Sequence, residues 1–152
     1  MATFDWCKKQ KDGIKLIKPN ENLSKEYLES ARETLEVIKQ IEYVSRIWTA
    51  TAKYYFKYFL VYSFLMKLGI KCKIHECTIL VVEILEKNIS LPKGLAKGLA
   101  SDKKLRIDNQ YYLKNREVKI DIDELTELFL EVKFRLNRLT NEEIKKAREV
   151  FS

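Results

Sequence analysis

The sequence predicts an all-α fold, an antiparallel helical bundle of four to five main helices behind a short N-terminal arm, with residues 1–152 forming a single domain. Three observations carry that expectation. Only four Gly and two Pro interrupt 152 residues, too few for the turns of a sheet protein. Apolar residues recur at the 3.6-residue spacing of a helix with one buried face. Capping residues stand where those patterns begin and end. A chain of this length buries roughly two-thirds or more of the surface it exposes when unfolded, so its core needs neither cofactor nor disulfide.

Met1 to Lys18 reads as a short irregular or helical arm, ended by Lys18-Pro19-Asn20. The first long helix should open between Asn22 and Ser24, with Leu28, Ala31, Leu35, Ile38 and Ile41 forming its buried stripe. The second runs from about Ser45 to Leu68 and carries Lys53 and Lys57 one turn apart on its polar side. Beyond Tyr58 it is apolar nearly all round and must be covered on more than one side. In a single-layer bundle a second copy is the natural cover, so a symmetric homodimer through this helix is expected.

Gly69 supplies the stop that a C′ glycine gives. A third helix should span about Ile74 to Lys87, burying Thr78, Val81, Val82 and Leu85 and turning Glu76, Glu83 and Lys87 to solvent. TILVVEIL also has the composition of a strand, but no partner strand is evident. Asn88 to Gly98 reads as a loop, with the tandem KGLA of LPKGLAKGLA as a mobile connector, and a helix from about Ala100 to Asn115 follows. The last two helices should cover about Ile122 to Leu139 and Asn141 to Phe151. Thr140 and Glu143 stand in capping-box spacing at the head of the second.

The formal charge of +7 is unevenly placed. Residues 21–44 hold three Lys or Arg against six Glu, whereas residues 45–73 hold six against none. Such a field suits nucleic acid, nucleotides or an acidic protein partner. A Lys- and Glu-rich surface is also the usual composition of thermophile proteins. Cys7, Cys72 and Cys77 are odd in number and lack metal-site spacing, which reads as three reduced thiols in a cytoplasmic protein with no metal and no cofactor. No apolar h-region follows Met1, so no signal peptide is expected. The longest uncharged run, Tyr58 to Met66, is far short of the ~20 residues of a membrane span, and no membrane association is expected.

Tyr54-Tyr55, Gly69, Lys71, Lys73 and His75 follow one another in an order that resembles the signature of HEPN-domain proteins, small helical bundles named for higher-eukaryote and prokaryote nucleotide binding. GIKLIKPN at Gly13 to Asn20, the acidic helix ESARETLEVIK and Leu105-Arg106-Ile107-Asp108 extend the resemblance over nearly the whole chain. It implies a helical bundle, commonly dimeric, often encoded beside a small nucleotidyltransferase as a toxin–antitoxin or stress-response pair. Members that cleave RNA carry an Arg followed after four to six residues by His. After Arg106 those positions are Tyr111, Tyr112 and Leu113, after Arg116 they are Asp121, Ile122 and Asp123, and none holds His. Counting back from His75 meets Leu68, Gly69 and Ile70. The ribonuclease motif is therefore absent and no catalytic residue is assigned.

Lys53, Lys57, His75, Arg106 and Asp108 remain as candidates for binding an anion or nucleotide. A cation steadies a phosphate, and imidazole moves protons near neutral pH. His75 could order Lys71 and Lys73 around an anion, or hydrogen-bond a nearby backbone group or carboxylate and fix the linker. Arg106 could contact a phosphate that Asp108 orients, or both could pair with the second helix. Lys53 and Lys57 among tyrosines resemble a nucleic-acid face, or form the solvated edge of a packed aromatic helix. Phosphate loops, dinucleotide fingerprints, nucleophile elbows and zinc-protease motifs are all missing. The leading expectation is a noncatalytic or degenerate nucleotide- or RNA-associated protein. The alternatives are a metal-independent ribonuclease with a non-standard site, such as Arg106 with Tyr111 or Tyr112, and a plain dimerisation or scaffolding bundle.

Overall fold

A computed structural model describes residues 2–152. The chain is largely helical: α1 (Phe4–Lys9), α2 (Glu21–Ile41), α3 (Arg46–Leu68), α4 (His75–Asn88), α5 (Leu95–Gln110), α6 (Ile122–Arg138) and α7 (Asn141–Phe151). One small sheet accompanies them, β1 (Lys15–Leu16) pairing antiparallel with β2 (Ile70–Lys71). A continuous apolar core draws on all seven helices, from Cys7 to Phe151. Among the described residues no helix is long and apolar enough to cross a membrane.

Local signals set the helix ends. Asn20 caps α2 by accepting from the Leu23 amide at 2.9 Å, slightly upstream of the expected start. Ser45 caps α3 through the Trp48 amide at 3.2 Å, and Gly69 ends it in the left-handed region at φ 75°. A side chain at Gly69 would meet the Ile17 carbonyl and the Arg148 guanidinium. Arg148 fills that notch, donating from Nη1 to the carbonyls of Ile17, Leu68 and Gly69 at 2.7, 3.0 and 2.9 Å. Thr140 and Glu143 form the capping box expected at the head of α7.

The apolar surplus of α3 is covered within the chain. Every residue from Leu60 to Met66 is buried, with Tyr27 of α2 against Phe59 and Tyr62 and with β2 and α7 closing the far end. The reason for placing a homodimer on this helix is thereby removed. Large exposed apolar side chains lie outside that stretch, Trp48 in the first turn of α3, Val37 on α2 and Leu130 and Phe134 on α6 among them.

Four further expectations are corrected. Residues 15–16 and 70–71 pair as strands too short to leave an alternating pattern. The expected loop is shorter than Asn88 to Gly98 and holds only Lys93 and Gly94 of the KGLA repeat: α5 already begins at Leu95, where the Glu86 carboxylate accepts from the Ala96 amide at 2.8 Å. The helix ends at Gln110 rather than Asn115, because Asn109 turns the chain by binding both backbone groups of Arg116, at 2.7 and 3.0 Å. Finally, Cys7 and Cys77 form a disulfide across 70 residues, and only Cys72 is a free, buried thiol. The odd cysteine count concealed a pair that packing of α1 on α4 brings together. The ground for reading a reduced compartment from cysteine usage is lost with it.

Candidate functional site

Helix α3 brings Tyr58 against Tyr54 and Tyr55, its i−4 and i−3 neighbours on adjoining turns, and the large rings of Tyr54 and Tyr55 also meet edge to face. The left-handed turn at Gly69 and strand β2 return the chain so that α4 begins at His75 beside them. The His75 ring stacks on Tyr54 with centroids 5.8 Å apart and lies 5.2 Å from Tyr58. A hydrogen bond joins His75 Nδ1 to the Tyr54 hydroxyl. The partner is thus neither the backbone group nor the carboxylate expected for a junction histidine.

Helix α5 runs antiparallel to α3, setting Gln110 against Thr51, Arg106 against Tyr55 and Asp102 against Lys57. This brings Arg106 over the same tyrosines. Its Cζ lies 4.9 Å from the Tyr54 ring centroid, 5.5 Å from Tyr55 and 5.9 Å from Tyr111, and Nη1 donates to the Tyr55 hydroxyl at 3.2 Å. Its Nε is buried without a partner, and no carboxylate pairs with this guanidinium among the described residues. A buried donor left unmade costs about 1–3 kcal/mol.

Burial, with Arg106 and Lys103 nearby, pulls His75 below its ordinary pKa. Burial likewise pushes the Tyr54 and Tyr58 phenols far above theirs. At neutral pH the nest holds a neutral imidazole, neutral Tyr54 and Tyr58 phenols and one guanidinium. Tyr54 and Tyr58 cannot serve as proton acceptors there.

The other candidates are otherwise engaged. Lys53 Nζ lies 3.4 Å from one oxygen of Asp102 and Lys57 Nζ 2.8 Å from the other, the latter outside hydrogen-bonding angles and so an ionic contact. The Asp102 side chain is only 5% exposed and those of the lysines 19% and 15%. These lysines form neither an open anion site nor a solvated edge. Asp108 pairs with Lys114 at 3.5 Å and Arg116 at 2.8 Å, in the turn after its own helix. It therefore pairs neither with Arg106 nor with the second helix. Sequence reasoning missed Asp102 and did not assign Tyr55 and Tyr58 to a site. The aromatic density of α3 was visible, but its alignment with Arg106 depends on the register of α5.

No protein-family model, curated protein or solved structure matches this chain. Its function is argued from the nest itself.

Proposed function

We propose that the protein is a noncatalytic, HEPN-like helical bundle that associates with a nucleotide or RNA through the Arg106 nest. In this reading it works beside a small nucleotidyltransferase in a toxin–antitoxin or stress-response pair. The observation that carries the contact is a partly exposed guanidinium held by tyrosine faces and by no carboxylate. Its charge is uncancelled, and its fork can pair with phosphate oxygens. Tyr111, 63% exposed beside it, offers a face on which a base can stack. The depressed pKa of His75 and the un-ionised Tyr54 and Tyr58 support recognition over proton transfer.

Fluorescence anisotropy with labelled single-stranded RNA tests the contact. Arg106→Gln should weaken binding about tenfold at low salt, within the 1–3 kcal/mol of a lost bidentate contact. Equal affinities would remove the nest from the reading. Wild type and His75→Ala should be equally inert towards single-stranded RNA and transfer RNA, and cleavage that depends on His75 would overturn the noncatalytic part. Co-purification with a nucleotidyltransferase encoded beside the gene tests the partnership. A homodimer, for which the HEPN resemblance is the remaining support, is part of this reading, and a monomeric mass in light scattering at micromolar concentration would strike it out.

A further inference from the structure

The β1–β2 pair sets Lys15 directly opposite Lys71, with both residues exposed. Like charges directly opposite on an antiparallel pair destabilise it. Lys11 and Lys73 join them around a recess of about 90 Å³, in which Asp12 is the one acidic side chain. Lys73 Nζ stays 3.8 Å from Asp12, and its side chain is 62% exposed. Four lysines thus line one recess that holds a single carboxylate, at a spot where the sheet itself would be steadier with fewer of them.

The recess is also held in shape. Its walls come from segments 11–15 and 71–73, far apart in sequence. The Cys7–Cys77 disulfide ties α1 to the head of α4. The Ile14 amide donates to the Cys7 carbonyl at 3.0 Å and the Lys73 amide to the Asp12 carbonyl at 2.9 Å. A side chain at Gly13 would run into the Cys7 carbonyl, so only glycine lets the arm close here. Lys73 is two residues from His75, a span of at most about 7 Å along the chain. The recess and the Arg106 nest therefore occupy one neighbourhood.

We infer that Lys11, Lys15, Lys71 and Lys73 form a phosphate-binding subsite that takes the phosphodiester backbone of an RNA whose bases engage the nest. The choice of RNA rests on the function proposed above, whereas the phosphate chemistry rests on the recess. Four lysines around a recess with one carboxylate leave an excess of positive charge that a chain of phosphates neutralises, and lysine reads such a backbone without regard to sequence. The Lys15–Lys71 repulsion that weakens the free protein would be relieved on binding.

Lys15→Glu tests this, because it turns a like-charged cross-strand pair into an opposite-charged one. The thermal midpoint should hold or rise while affinity for a labelled ten-nucleotide RNA falls about tenfold at low salt. The slope of log affinity against log salt should flatten by about one contact. Lys133→Glu on α6 makes the same change in net charge away from the recess and should leave the slope near that of wild type. Equal affinity and slope for Lys15→Glu and wild type would overturn the subsite, as would an equal loss in Lys133→Glu. ATP distinguishes the sources of phosphate: it should bind much more weakly than the RNA, and comparable binding would overturn the backbone assignment. Arg106→Gln separates the two readings. Loss in that variant alone sinks the subsite and keeps the nest, and loss in Lys15→Glu alone does the reverse.

Discussion

Two pairs of lysines, four and two residues apart in the same basic segment, have opposite fates. Lys53 and Lys57 stand one turn apart on α3 and close on Asp102 with most of their side chains covered. Lys71 and Lys73 flank Cys72 on an exposed edge, where Lys11 and Lys15 crowd them and only Asp12 answers. Local charge density was the same kind of signal in both places. What separates them is a carboxylate 45 residues from Lys57 in one case and an arm more than 50 residues away in the other. Whether a cation is available to a ligand is decided by which distant element packs on it.

The largest expected effect lies on the exposed side of that comparison. Closing a loop of 70 residues is worth roughly 4 kcal/mol in the chain-entropy account of disulfides. Reduction, or Cys77→Ser, should lower the denaturant midpoint accordingly. Hydrogen exchange should rise at residues 11–15 and 71–73, while the amides around Lys53 and Lys57 stay protected. Equal midpoints for oxidised and reduced protein would show that the tether contributes nothing, and uniform exchange would show that it does not act on the recess.

Next in size is the buried side. Asp102→Asn leaves two poorly solvated ammonium groups facing an amide, and breaking a buried ion pair on one side costs about 3 kcal/mol or more. For a chain of this size that is roughly 9 °C in thermal midpoint. Lys15→Glu, by contrast, should cost nothing. Asp102→Asn should also steepen the salt dependence of RNA binding by making Lys53 and Lys57 resemble the exposed pair. A midpoint within about 1 °C of wild type would mean that the burial of this triad has no energetic weight.

The sequence made the helices legible where the signals are local. Ser45, Gly69 and the Thr140–Glu143 box each act within one turn, so α3 and α7 fall where expected. The middle of the α2 stripe follows from periodicity alone, with Ala31, Leu35 and Ile38 all in the core, whereas Leu28 and Ile41 towards its ends are only half-buried. Errors gathered where one element depends on another. The start of α5 is held by Glu86, its end by Arg116, the arm by Cys77, and the cover of α3 by segments before and after it. The candidate site divides the same way. His75 and Arg106 were visible as unusual residues, but their meeting over Tyr54 needed the turn at Gly69 and the register of α5 together. Asp108 was drawn to Arg116 instead, a partner only eight residues on that requires a turn the sequence does not announce.

The smallest effect expected concerns the boundary between the two regions, where His75 joins the lysine edge to the tyrosines. Groups facing its ring are Tyr54, Tyr58, Arg106 and Lys103, and Glu76 follows it in sequence paired to Lys103 at 3.9 Å. Burial leads and the two cations add to a fall in its pKa on folding. Below the ordinary histidine value of about 6.5 the unfolded chain therefore binds a proton that the folded chain resists. Stability from this residue is complete above that value and is lost as pH falls through it towards the folded pKa. The carboxylates held low by their partners, such as Glu143 beside Arg135, titrate in a more acidic range and do not confuse the window between about pH 7.5 and 5.5. The denaturant midpoint of wild type should decline across that window, by one proton's worth at most, while that of His75→Gln should stay nearly flat. Parallel curves would mean that protonated imidazole is accommodated in the nest, and that the cations around it carry less of its field than their positions imply.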